Sequence, residues 1–232
     1  ARTLAKGLAH PYSLAYASGC AAGLYSARRE WRLAQESAEE AVTLSTEQGF
    51  PSWVAVGTVS RGEALVEQGQ VKEGIAQIRQ GMAAYQATGS SQRPHYLALL
   101  AEACGKAEQV EEGLDLTTEA LAFVDSTGER MHEAELYRLK GELTLQQQFK
   151  VPGSKFQVEE AEECFWKAIE IARKQQAKSL ELRASTSLAR LWQQQDKKTE
   201  AHQLLAEIYG WFTEGFDTKD LQEAKALLDE LS

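Results

Sequence analysis

Three glutamates stand at one register position in successive stretches of this chain: Glu63, Glu102 and Glu142, separated by 39 and 40 residues. The same position holds Gly23 forty residues before the first and Arg190 forty-eight after the last. Seven residues ahead of that position stand Tyr16, His95, Glu135 and Arg183, and four ahead of Glu142 stands Arg138; residues at these spacings share one face of an α-helix. Carboxylates stacked along a surface and ending at a cation perform charge recognition rather than bond making. The order suits a peptide with a basic segment and an acidic end. A second reading of the same residues has Glu135, Arg138 and Glu142 as intrahelical ion pairs worth about 0.3–0.5 kcal/mol each, with Glu63 and Glu102 solvated on a polar face.

Constellations for bond-making chemistry are not found. A phosphate loop needs a glycine-rich turn opening into a helix with Lys followed by Ser or Thr, whereas Gly105-Lys106 is followed by Ala107 inside a helical pattern. His10, His95, His132 and His202 are scattered, and His132-Glu133 lacks the second histidine of a zinc-protease helix. Ser185 and Ser187 have no His and Asp partners in sequence reach. Cys20, Cys104 and Cys164 are 84 and 60 residues apart, and each falls in an apolar helical pattern where a free thiol behaves as a small buried side chain. Neither a disulfide nor a metal site follows, and an odd count of unpaired cysteines fits a reducing compartment. The expectation is a noncatalytic chain without cofactor. An enzyme would instead need a closed apolar pocket holding paired titratable groups.

The elements that position the charged stripe are legible in a register of small residues. Ala34, Gly74, Gly113, Ala161 and Ala201 recur at steps of 40, 39, 48 and 40, and seven residues later come Ala41, Gly81, Ala120, Ala168 and Ile208. Twelve residues before the first set stand Ala22, Gly62, Ala101 and Ala189, with Gly141 displaced by an insertion in the fourth unit. Small side chains at fixed places let neighbouring helices approach closely, the mark of a helical-hairpin repeat. Pro11, Pro51 and Pro94 sit where the first helix of a hairpin begins, a place that does not need the missing amide hydrogen. Gly49, Gly89 and Gly128 follow the second helices.

These signals predict helices over residues 11–28 and 30–48, 51–68 and 71–87, 94–107 and 110–126, 130–148 and 158–176, 178–194 and 199–213. As repeats the boundaries are 11–50, 51–93, 94–129, 130–177 and 178–217 within one elongated domain over 1–232, closed by a capping helix over 218–232. No stretch alternates with the period of a strand. Residues 149–155 form the turn that holds an eight-residue insertion, and Pro152-Gly153 breaks any helix through it. Insertions of this kind collect on one face and can bind partners, although loop-length tolerance alone also predicts them. Residues 1–10 read as the remnant of a preceding repeat, the chain being the tail of a longer protein. Trp211, Phe212 and Phe216 are expected in the core of the closing cap, and Trp31, Trp53, Trp166 and Trp192 as packing between hairpins.

The register resembles the tetratricopeptide (TPR) repeat, whose two helices keep small residues at the eighth, twentieth and twenty-seventh positions, here Ala22/Ala34/Ala41, Gly62/Gly74/Gly81 and Ala101/Gly113/Ala120. The resemblance implies an all-α fold, a right-handed α-solenoid of about five TPR-like hairpins whose first helices line a concave groove. Two features depart from the family: a spacing near 40 rather than 34, and no helix-ending proline at the close of each repeat. More narrowly, IYGWFTEGFDTKDL over residues 208–221, EAKALLDEL after it, QAKSLELRASTSLARLWQQQ and AELYRLKGEL resemble the carboxyl-terminal tails of bacterial signal-transduction ATPases that carry an adenylate/guanylate cyclase-like domain. That likeness implies a regulatory or sensory tail which binds a protein or peptide in the groove. Its alternative is a self-association or intramolecular docking module for an upstream ATPase or cyclase.

Thirty-four acidic against 25 basic residues give a net charge of −9, which opposes a polyphosphate backbone. Arg28-Arg29, Arg173-Lys174 and Lys197-Lys198 are isolated basic pairs, so nucleic acid is not an expected partner. No stretch approaches the roughly 20 uninterrupted apolar residues of a membrane span. The first six residues lack the apolar core of an export signal, and a cytoplasmic setting is expected.

Overall fold

The computed structural model describes residues 2–90, 93–150 and 155–232. Among them are twelve helices and no strand. In chain order these are α1 (Arg2–Gly7), α2 (Pro11–Ala27), α3 (Trp31–Gln48), α4 (Pro51–Glu67), α5 (Val71–Ala87), α6 (Arg93–Lys106), α7 (Val110–Thr127), α8 (Glu133–Lys150), α9 (Lys155–Lys174), α10 (Lys178–Gln194), α11 (Lys198–Tyr209) and α12 (Lys219–Leu231). Pro11 and Pro51 open their helices, as their fixed φ favours, while Pro94 is the second residue of α6.

Six helix ends share one geometry. The amides of Glu30, Phe50, Gln70, Gln109, Ala177 and Lys197 each reach back five residues, to the carbonyls of Tyr25, Ser45, Leu65, Cys104, Ala172 and Trp192, at 2.8–2.9 Å. This bond closes a helix whose following residue is left-handed. Positive φ accordingly stands just before these amides, at Arg29, Gly49, Gly69, Glu108, Gln176 and Asp196, and it recurs at Ala9, Gly89, Gly128 and Gly215. Five of these are not glycine, and a side chain there costs about 1–2 kcal/mol. Gln176→Gly and Asp196→Gly, at exposed sites with φ of 55° and 61°, are each expected to raise stability by about 0.5–1 kcal/mol. Thermal unfolding checks this as a rise in Tm.

The chain forms two compact units, residues 1–109 and 110–232. In the first, α4 touches both α2 and α6, and α4 pairs with α5 as α2 pairs with α3. Among the described residues no backbone contact joins α3 to α5. The second unit repeats the plan: α10 touches α8 and α12, α9 pairs with α8, and α11 with α10. First helices therefore make a continuous layer within each unit, and second helices are carried on its other side.

Every small residue of the register is buried. Ala22, Ala34, Ala41, Ala101, Ala120, Ala161, Ala168, Ala189 and Ala201 are fully enclosed, and so is the bulkier Ile208 at 3% exposure. Between α4 and α5 the approach is backbone to backbone: a Cβ on Gly62 would stand 2.8 Å from the Gly74 carbonyl oxygen. Between α8 and α9 the same register place is filled differently, with the Phe165 ring over Gly141.

Several expectations are corrected. Residues 149 and 150 close α8 and Lys155 opens α9, so the turn is shorter than 149–155; residues 151–154 lie outside the described residues. Helix α11 ends at Tyr209 rather than near residue 213. Trp211 and Phe216 are 58% and 48% exposed, because only Phe212 and Tyr209 of this segment turn into the apolar cluster built by α10, α11 and α12. Cys104 and Cys164 are buried as a small apolar residue would be, but Cys20 is exposed.

Candidate functional site

The first-helix layer of the first unit carries Tyr16, Glu63, His95 and Glu102. Glu63 and Glu102 are both partly buried on the layer, on α4 and α6. Lys106, one turn after Glu102, lies 3.6 Å from it and pairs with Glu67, one turn after Glu63. Glu67 and Glu102 thus share this lysine across the α4–α6 junction, with Glu63 one turn before Glu67 on α4, and this stretch of the layer is acidic. His95, one helical stretch earlier on α6, has its ring 5.6 Å from that of Tyr96. Tyr16 is half exposed and sets its ring edge against Trp53 at 5.1 Å; Tyr12 does the same at 6.5 Å. Trp53 can lie this close to α2 because residue 19 is glycine, where a Cβ would meet the indole at 2.8 Å.

In the second unit the stripe becomes a closed ionic network. Arg138, with a side chain 7% exposed, donates from Nε and Nη2 to the two oxygens of Glu135 at 3.0 and 2.6 Å, and from Nη1 to Glu142. From α10, Arg183 comes within 3.2 Å of Glu135, and the Ser187 hydroxyl donates to Glu142 at 2.8 Å. Burial pushes the Glu135 carboxyl up, but Arg138 and Arg183 outweigh it and hold the group down at about 2. Glu142 is thus held in bonds within its own unit. Arg190 stands outside this cluster, 3.3 Å from Glu223 of the last helix.

The stripe therefore separates into an acidic face in one unit and a braced α8–α10 contact in the other. Sequence reasoning missed Glu67, Lys106 and Ser187. Each lies three or four residues from a stripe member, so extending the same helical spacing by one turn finds all three. A further buried carboxylate, Glu181, is bonded by Arg173 and Lys178 at 2.7 Å each. Burial opposes its ionisation, and those two cations still leave its pKa lowered.

Among the described residues no group of three or more His, Cys, Asp or Glu side chains is placed to hold a metal ion. No described helix is long and apolar enough to cross a membrane. An open concavity of about 610 Å³ along α9 is lined by Glu163, Trp166, Lys167, Ile169, Glu170, Arg173 and Lys174. Its cations are spent on nearby carboxylates: Lys167 and Lys174 on Glu170, Arg173 on Glu181.

No family model matches the chain, and no curated protein matches it in sequence. Solved structures do match. A Podosopora anserina protein of nearly identical TPR-like repeats superposes, in a variant form, with a TM-score of 0.57 at 21% identity, over 87% of this chain and 95% of that one. A second structure of that Podosopora anserina protein gives 0.55 at 20% identity, over 95% and 97%. Pseudomonas aeruginosa pilF gives 0.58 at 14% identity, over 95% and 90%.

The fold is that of a TPR array. At these identities the likeness is one of architecture, and it accounts for the paired layers and the enclosed alanines and glycines. In TPR terms the acidic face of Glu63, Glu67 and Glu102 lies on α4 and α6, neighbouring helices of the first-helix layer of the first unit, and the Arg138 network ties α8 to α10 in the second.

Proposed function

We infer that the chain is a noncatalytic scaffold whose first-helix layer binds a basic peptide segment of a protein partner. The observation that carries this reading is the meeting of Glu67 and Glu102 at Lys106 across the α4–α6 junction, with Glu63 one turn before Glu67 on α4, in a layer whose α4 backbone is held close to α5 by glycine contacts. A rigid face with excess negative charge steers and orients a cationic partner. Tyr16 and His95 on the same layer supply ring surface and a hydrogen-bonding edge. The Arg138 network and Arg190 act as supports that hold α8, α10 and α12 in register.

The hairpins over 11–50, 51–93, 94–129, 130–177 and 178–217 serve as its repeats. The tail-like segments over 134–143, 176–195 and 208–231 favour a regulatory or sensory role beside upstream ATPase or cyclase domains of a bacterial signalling protein, in the cytoplasm. Fluorescence anisotropy with a lysine- and arginine-rich peptide tests the binding. Glu63→Lys with Glu102→Lys should weaken it about tenfold or more at low salt, and added salt should weaken binding to the parent. Equal affinity for parent and variant discards the acidic face.

A further inference from the structure

Helix α9 carries a stripe of exposed charge that alternates in sign: Glu163, Lys167, Glu170 and Lys174, at steps of four, three and four residues. Those steps keep all four on one face. They are also symmetric about the midpoint of the stripe, between Ala168 and Ile169. Beside the stripe Trp166 is 40% exposed, its ring centroid 5.9 Å from that of Trp192, whose indole nitrogen donates to Glu162 at 3.0 Å. Along the same flank the open concavity of about 610 Å³ runs from Trp166 past Ile169 to Arg173. Helix α7 has no such order, for its exposed Glu111, Asp115 and Glu119 are of one sign.

We propose that this face of α9 is the docking surface for a second copy of the chain, the two α9 helices lying antiparallel about a two-fold axis. The argument for that occupant is charge complementarity. Across a two-fold axis residue i meets residue j and j meets i. With the axis level with the midpoint of the stripe, Glu163 meets Lys174 of the second copy, Lys167 meets its Glu170, and each pair occurs twice. Two acids balanced by two bases also let copies approach in a chain whose net charge is −9. The same register seats the indole: Trp166 lies about 4 Å from the midpoint along the helix, so its mate falls about 4 Å beyond it on the same flank, in the concavity between Ile169 and Arg173. Within one copy Lys167 and Lys174 lie 3.5 and 2.7 Å from Glu170, but pairs this exposed are held weakly and can re-form across the axis. One helix face is small beside the roughly 800 Å² that each partner of a stable complex buries, so the dimer is a weak one. The inference goes beyond peptide binding on α4 and α6 and does not depend on it.

Sedimentation velocity at concentrations up to about 1 mM tests it. The parent chain should move from monomer to dimer. Glu163→Lys and Lys174→Glu each set like charges across the axis, and each should weaken dimerisation about tenfold or more with the far-ultraviolet circular dichroism unchanged. The Glu163→Lys/Lys174→Glu double variant exchanges the signs within one pair and should dimerise like the parent. That rescue cannot come from pairing inside the helix, where the double variant sets like charges four residues apart at both ends of the stripe. Trp166→Ala should weaken dimerisation by a similar factor. A parent that stays monomeric at every concentration, or a double variant no better than the single ones, overturns the proposal. Neither result touches the peptide reading, whose acidic residues lie in the other unit.

Discussion

Gly74→Ala is expected to destabilise the chain by about 2–3 kcal/mol, although alanine is the better helix former by about 1 kcal/mol. The sign is decided by what the new methyl group meets. A Cβ at residue 74 would stand 2.6 Å from the Gly62 carbonyl oxygen and 2.8 Å from the Val66 amide nitrogen, backbone atoms of α4 that cannot swing aside. Relief would require α4 and α5 to separate along their length, exposing the buried side chains of Val59, Ile75 and Ile78. Gly74→Val should be worse. Gly23→Ala is the matched control, for it is also inside a helix but faces open space; it should stabilise by about 0.5–1 kcal/mol. Urea unfolding followed by circular dichroism measures all three, and opposite signs for Gly74→Ala and Gly23→Ala are the decisive outcome.

Arg138→Met should cost about 3–5 kcal/mol, because it leaves the Glu135 carboxylate enclosed with Arg183 as its remaining cation and frees Glu142 of its guanidinium. The companion Glu135→Gln/Arg138→Met double variant removes the stranded charge and should recover part of that loss. The pH dependence has a definite sign. The Glu135 carboxyl is held at about 2 in the folded chain, against about 4.3 for an ordinary glutamate. A depressed acid stabilises the fold above its ordinary value and loses that contribution as pH falls toward its folded one. Stability should therefore drop on the order of 3 kcal/mol between about pH 4.3 and 2 from this group. In Arg138→Met the drop across the same window should shrink. Chemical denaturation at a series of pH values reads both.

The hairpins were legible because their determinant is local and periodic. An alanine or glycine every 40 residues or so marks where one helix leans on another, and proline at Pro11 and Pro51 marks where a helix starts. The left-handed helix ends were half legible: glycine announces Gly49, Gly89 and Gly128, but nothing in the residue type announces Arg29, Glu108, Gln176 or Asp196. There the turn is imposed by the two helices it joins. The charged stripe was legible as positions and illegible as partners. Spacing put Glu135, Arg138 and Glu142 on one face, but only the α8–α10 contact brings Arg183 and Ser187 to them. The exposure of Cys20 escaped for a similar reason, since an apolar periodicity reports which side of a helix is oily and not whether anything lies against it.

Binding on the first-helix layer is best tested by amide chemical-shift mapping during titration with a lysine- and arginine-rich peptide. The account predicts that the largest changes fall at Glu63, Glu67, Glu102 and Lys106, with α3 and α5 unmoved. Changes confined to α3 and α5, or none at saturating peptide, would contradict it.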